Sequence, residues 1–397
     1  MKTHLAGKLL SIALLGVVLV LLMEPQPTSG HIRRINYSSQ DYFWITETVA
    51  STGSCLDMQI SSALSKDGIP HVSYFDREKS ALMQAQRTST GWVNTMVDDS
   101  GAVGRHSSIA LDSTGNPHIA YRNMSNNELE YASFDGVAWN HQAVGSGEVG
   151  WFPSLAFDQN DHPQIAYLGN ASGVGSQTPK SADWDGNQWT IGVIEKVFAS
   201  GGISLALDSN GARHVSYQSG GTLRYAVYTS TMWVTQTVDL KATGGFDAGL
   251  YSSIAMDGSD NPEISYAQYD TNLSLPFPIH LKFAHRQAGI WQFAQPDTTN
   301  GAGFFSSLKL DSQDDPYISY FDSGLQSLKN AHWDGVSWSD MVVDSPVTLD
   351  GYTSLAIGAD DLPQIAYCDD RSETVKYARL VYLGQHVFLP LMAGSWD

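Results

Sequence analysis

Seven copies of one pattern run through this chain, and a tandem pattern of this length leaves few folds open to it. Each copy reads as a run of small residues, an acidic turn, Pro-x-Ile/Val-Ser/Ala-Tyr, Leu-x-Tyr-Ala, and a Trp-led segment. The tyrosines that close the second segment are Tyr74, Tyr121, Tyr167, Tyr217, Tyr266, Tyr320 and Tyr367, spaced 46 to 54 residues apart. That period, with several short strands per unit, predicts a β-propeller rather than a helical array.

The second copy shows the grammar. Ser108-Ile109-Ala110-Leu111 alternates in period two and is rich in small residues, as the crowded innermost strand of a blade requires. Asp112 to Pro117 is a turn in which Asp and Ser bond nearby backbone, Gly takes positive φ, and Pro opens the next strand. His118 to Tyr121 is the second strand and Leu129 to Ala132 the third. Asp135-Gly136 then turns tightly before Trp139, which begins the outer strand. The pattern predicts an all-β fold: a seven-bladed propeller of four-stranded antiparallel blades.

Counting strands fixes how the ring closes. The first three segments occur seven times, ending at Val375 to Ala378, and no Trp-led strand follows. One stands alone near the start, Trp44 to Val49, completing the series Trp44, Trp92, Trp139, Trp189, Trp233, Trp291 and Trp338. The N-terminal strand is therefore expected to complete the last blade, which leaves no open edge at the seam. Cys55 and Cys368 fall on loops at the same face of that blade, so a disulfide is predicted, with two buried thiols as the alternative. Such a bridge would contribute on the order of 5 kcal/mol in the chain-entropy model.

The flanks divide the chain into 1–30, a signal peptide or N-terminal anchor; 31–43, a leader; 44–380, the propeller; and 381–397, an apolar tail. Lys2 and Lys8 precede an apolar stretch from Leu9 to Met23, short for a membrane span and right for an export signal. The expected location is secreted or at the cell surface, or membrane-anchored if that segment is retained. A net charge of −19 argues against nucleic acid, which needs a basic face. A monomer is expected.

Ser133-Phe134-Asp135-Gly136-Val137-Ala138-Trp139 resembles the Asp-box of the sialidase-type propellers, with one residue fewer between Asp and Gly. Asp185-Gly186 and Asp334-Gly335 repeat the turn. The resemblance implies a propeller fold and a structural turn remote from any active site. Sialidase chemistry would need converging arginines, a Tyr/Glu nucleophile pair and an acidic proton donor. Arg77, Arg105, Arg122 and Arg371 lie near the loop face, none in the Arg-Ile-Pro setting of those enzymes.

Candidate site residues gather at the loops that share one face. Arg105-His106, Trp151-Phe152, Leu250-Tyr251, Phe304-Phe305 and Gly351-Tyr352 each precede a Ser-rich first strand. Their rings are expected either around the channel mouth, stacking on sugar or apolar peptide, or wedged between blades as core. After the second strand come Asp76, Asp322 and Asp369, which either accept sugar hydroxyls or cap turns; a Ca²⁺ site is permitted by their chemistry. No cofactor, zinc-ligand spacing or nucleophile elbow is found. The sequence reading is a non-catalytic extracellular propeller that binds glycan or protein; the alternative is a sialidase-like glycoside hydrolase or a lyase on the same scaffold.

Overall fold

The computed structural model describes residues 41–383 apart from 57, 146, 148–149, 241–245 and 271–277. The segment expected to be an export signal or anchor, the expected leader up to residue 40, the apolar tip at Leu275 and Phe277 and most of the tail lie outside the described residues. Seven four-stranded antiparallel sheets make seven blades, and the described residues contain no helix. Six blades each take four consecutive strands. The seventh takes Ser354–Ile357, Pro363–Asp369 and Thr374–Tyr382, then borrows Tyr42–Ser51 as its outer strand. In that pairing Trp44 lies opposite Leu380 and Thr48 opposite Lys376. The ring closes head to tail, as the strand count requires.

The second strand of each blade is the core. Its tyrosine is at most 1% exposed in all seven copies, so every phenol needs a buried partner. Five find it on the preceding blade, at the end of its outer strand or just past it. Tyr121 donates to Asp98, Tyr217 to Glu195, Tyr266 to Asp239, Tyr320 to Asp297 and Tyr367 to Asp344, at 2.5–2.7 Å. Lys329 and Lys376 join the Asp297 and Asp344 pairs. Burial opposes the charge on Asp297, but bonds from Lys329, Thr299 and Tyr320 outweigh it and hold the carboxyl below its ordinary value. At the equivalent place the closing strand carries Ala50, and Tyr74 donates to Asn94 of its own blade instead.

The outer Asp-Gly turns are structural. Asp135 Oδ1 accepts from the Val137 and Ala138 amides, and Asp185 and Asp334 repeat the arrangement. Gly136, Gly186 and Gly335 hold the positive φ that the turn needs, 85–93°. The predicted disulfide is formed: Cys55 and Cys368 have Cα atoms 5.6 Å apart and join the stretch after the closing strand to the end of the second strand of blade seven. Disulfides persist in oxidising compartments, so this one points outside the cytoplasm. Among the described residues no helix is long and apolar enough to cross a membrane.

At the axis every blade presents an unpaired sheet edge, and each edge N–H needs an acceptor. One serine per blade supplies it. Ser61, Ser108, Ser154, Ser204, Ser253 and Ser307 accept, through Oγ, the amides of Ile109, Leu155, Leu205, Ile254, Leu308 and Leu355 on the next blade. Ser354 accepts from Ser62 and closes the circle at 2.8 Å. One residue earlier the seams are matched in polarity. Ser73, Ser216, Ser265 and Ser319 bond Ser107, Ser252, Ser306 and Thr353 of the next blade. Where that second-strand residue is Ala120, Ala166 or Ala366, its counterpart on the following blade is Pro153, Ile203 or Ile60.

Replacing Ser204 with Ala strands the Ile254 amide and is expected to lower stability by about 1–3 kcal/mol. Ser89→Ala, on the exposed turn before the outer strand of blade one, should change it by no more than about 0.5 kcal/mol. Denaturant unfolding of both variants checks this; equal losses would remove the serine ring from the account.

Candidate functional site

The residue two before each ring serine sits at one end of the central shaft. In blade order these are Gln59, His106, Phe152, Gly202, Tyr251, Phe305 and Tyr352. A bulge in the first strand throws their side chains inward: register shifts fall between Val103 and Ser107, Trp151 and Ser154, Leu250 and Ser253, and Phe304 and Ser307. Phe152, Tyr251 and Phe305 take left-handed φ of 51°, 54° and 56°, uncommon for bulky residues. Backbone strain is spent here to aim rings at the axis.

The rings meet one another rather than standing apart. His106 lies 4.5 Å from Phe152, Phe152 lies 5.6 Å from Tyr352 on blade seven, and Tyr352 lies 5.5 Å from Phe305 and 5.7 Å from Tyr251. Tyr251 and Phe305 are 4.7 Å apart, with Phe304 beside them at 6.0 Å from Tyr251. Gly202 makes room: a Cβ there would come within 3.0 Å of the Tyr352 hydroxyl. The cluster is a partition. Phe152 and Tyr352 line both the shaft below and an outer hollow of about 300 Å³ that also takes in Met58, His106, Tyr251, Phe305 and Asp350. These rings pack against one another, and Phe152, Tyr251, Phe304, Phe305 and Tyr352 stay partly exposed.

The polar candidates divide. Arg105 and Arg122 come together around His106, and the Arg122 guanidinium lies 3.4 Å over the Trp151 ring. His106 is 1% exposed; burial, then the positive charges of Arg122 and Arg105, push its imidazole down to about 3. It is neutral at every ordinary pH. Tyr251 is pushed up to about 12 by burial, Tyr269 and Asp350. Asp76, Asp322 and Asp369 are elsewhere, at hairpin turns, each 2% exposed or less. Asp76 holds the Lys79 amide and ammonium, Asp322 the amides of Gly324 and Leu325, and Asp369 the Thr348 amide with Lys376 and Ser372. Asp76 and Asp322 Oδ1 serve their turns, Asp369 also ties the turn to Thr348 and Lys376, and Asp322 Oδ2 is buried without a hydrogen-bond partner among the described residues. Among the described residues no group of His, Cys, Asp and Glu could hold a metal ion. Gln59, Gly202 and Asp350 were not singled out from sequence, although Gln59 and Gly202 stand at the same distance before a ring serine as the aromatics.

No protein-family model matches the chain, and no curated protein matches it. Solved structures do. An ulvan lyase of polysaccharide lyase family PL25 superposes with a TM-score of 0.55 at 12% identity, covering 88% of this chain and 96% of the lyase. YCF48 from Cyanidioschyzon merolae gives 0.52 at 10% identity, over 84% and 98% of the two chains. An α-L-arabinofuranosidase from Fusarium graminearum gives 0.50 at 11% identity, over 87% and 98%. These likenesses are of fold, and they do not single out the sialidase-type group.

The low value of His106 carries a pH signature. The folded imidazole binds its proton only near pH 3, the unfolded one near 6.5, so its stabilising share is present above 6.5 and is lost as pH falls toward 3. His106→Gln should flatten the acid limb of a stability–pH profile between those values; an unchanged slope would contradict the buried neutral ring. Tyr352→Ala should lower stability by about 2 kcal/mol in denaturant unfolding, whereas a freely exposed ring would leave it unchanged.

Proposed function

We propose that the protein cleaves polysaccharide at the aromatic mouth, with elimination favoured over hydrolysis. The observation that carries this reading is the contrast between ring and mouth. The axial positions repeat one residue around all seven blades, Ser61 through Ser354, whereas the mouth positions carry Gln, His, Phe, Gly, Tyr, Phe and Tyr. A multivalent lectin repeats one binding set in every groove; a catalytic site gathers unlike residues once. The half-exposed faces of Trp151, Phe152, Tyr251, Phe304, Phe305 and Tyr352 suit stacking on pyranose rings. Among the solved structures of this fold, two of the three cited above are carbohydrate-cleaving enzymes, and the ulvan lyase has been seen bound to a GlcA(1-4)Rha3S chain.

The residue types favour elimination. Hydrolysis by retention or inversion needs two carboxylates flanking the bond, and the residues lining the hollow include one, Asp350. Elimination from a uronate needs a cation to hold the carboxylate and a group to move the C5 proton. Arg105 flanks the mouth, and Tyr251 and Tyr352 present hydroxyls within it. In this reading Arg105 binds the uronate, a tyrosine oxygen accepts the C5 proton while its own O–H passes to the departing glycosidic oxygen, so that the C4–O bond breaks as the C4=C5 bond forms, and the aromatic faces align the chain.

The test is depolymerisation of uronate-containing polysaccharides, followed by the ultraviolet absorbance of the unsaturated product, with reducing-end release from arabinan in parallel. Wild-type protein should generate the unsaturated ends, and Tyr251→Phe should cut turnover by about 10²–10⁴-fold while remaining folded. Saturable binding without new chain ends would return the protein to a non-catalytic glycan-binding role. Neither binding nor cleavage would end the carbohydrate reading.

A further inference from the structure

Beneath the aromatic partition the shaft encloses about 170 Å³ and is lined by the seven ring serines. Each of those hydroxyls accepts a backbone amide from the next blade. Among the described residues, none of the seven donates its own proton to a protein acceptor. A circle of O–H donors therefore faces a narrow space on the molecular axis.

Two residues further along the first strand, six blades carry Ala63, Ala110, Ala156, Ala206, Ala255 and Ala356. Blade six carries Lys309, which lines the same shaft. Lys309 is exposed within the shaft, and desolvation by the protein around it holds its ammonium below the ordinary lysine value. Among the described residues no carboxylate offsets it. Asp311, two residues on, is raised by burial and by Asp361 and Asp314, with no lowering from Lys309. In a chain with 41 acidic and 22 basic side chains, one lysine stands unpaired at the centre.

From this juxtaposition we infer that the shaft is a binding site for a monovalent inorganic anion of halide type, held by the Lys309 ammonium and the hydroxyls of the serine ring. A single cation in the shaft is neutralised by one negative charge, and a dianion would leave a net negative charge at the centre of an already acidic protein. Hydroxyls and a three-donor ammonium set no bidentate geometry, unlike the guanidinium forks that recognise carboxylate or phosphate. A spherical acceptor fits such a circle. The aromatic partition closes one end, so the ion exchanges through the end ringed by the alanines. This site is independent of the mouth and of any reaction there.

The experiment has two arms on the full-length protein. Crystals soaked in sodium bromide should show one anomalous peak in the shaft beside Lys309 Nζ, absent from Lys309→Ala crystals. In parallel, melting temperature is followed as chloride replaces gluconate at constant ionic strength. Wild type should gain on the order of a few degrees, saturating, as expected at a hundredfold excess over Kd. Lys309→Ala, which restores the residue of the other six blades, should show no chloride dependence. A shaft without bromide, or equal chloride responses in the two proteins, would overturn the inference. Should the variant fail to fold, the bromide position in the wild type decides alone.

Discussion

The constraint on which the rest depends is the orphan amide at the axis. Each blade ends inward in a strand edge, and seven such edges crowd together where larger side chains do not fit. A serine reconciles both demands: it is small, and its oxygen caps the next blade's N–H. The same bond at Ser354 and Ser62 binds last blade to first, so closure is made at the centre as well as at the rim, where Tyr42–Ser51 pairs with Thr374–Tyr382. The polarity-matched seams and the tyrosine–acid pairs extend that attachment outward.

Against this regular frame, function is read from departures. The repeated positions are occupied by residues that satisfy backbone or fill core, so they carry little chemical information. Where the seven copies disagree, at the mouth and at Lys309, the repeat itself does not dictate the residue found. The mouth exchanges one repeated side chain for a mixed set and tolerates left-handed Phe152, Tyr251 and Phe305 to aim it. The shaft exchanges one alanine for a cation. These two departures lie on opposite sides of one aromatic partition.

Much of the frame was legible in the sequence because it is periodic. Tyr74 through Tyr367 mark the core strands, and the lone Trp44 segment identifies the closing strand. Cys55 and Cys368 follow from that closure, and the Asp135-Gly136 turn serves the structural role its resemblance implied. The acids that receive the tyrosines were less visible, since Asp98, Glu195, Asp239, Asp297 and Asp344 lie 22 to 27 residues before their partners, in a different copy. The closing of the mouth was not legible. Whether Phe152, Tyr251 and Phe305 line a channel or block it depends on a bulge and a φ sign, and neither leaves a mark in residue spacing. Asp76, Asp322 and Asp369 illustrate the same gap: their types fit ligand binding, and their positions commit them to turns. Lys309 could have been found by aligning the copies below the serine, where six of seven read Ala.

Hydrogen exchange at the inner-edge amides tests the central claim most directly. Ile109, Leu155, Leu205, Ile254, Leu308, Leu355 and Ser62 have Ser Oγ as acceptor. All seven should exchange only through global unfolding, with one shared free energy, Ser62 at the closing seam included. Exchange of these amides at the rate of exposed loops, or early loss of protection at Ser62 alone, would contradict a ring held shut from within.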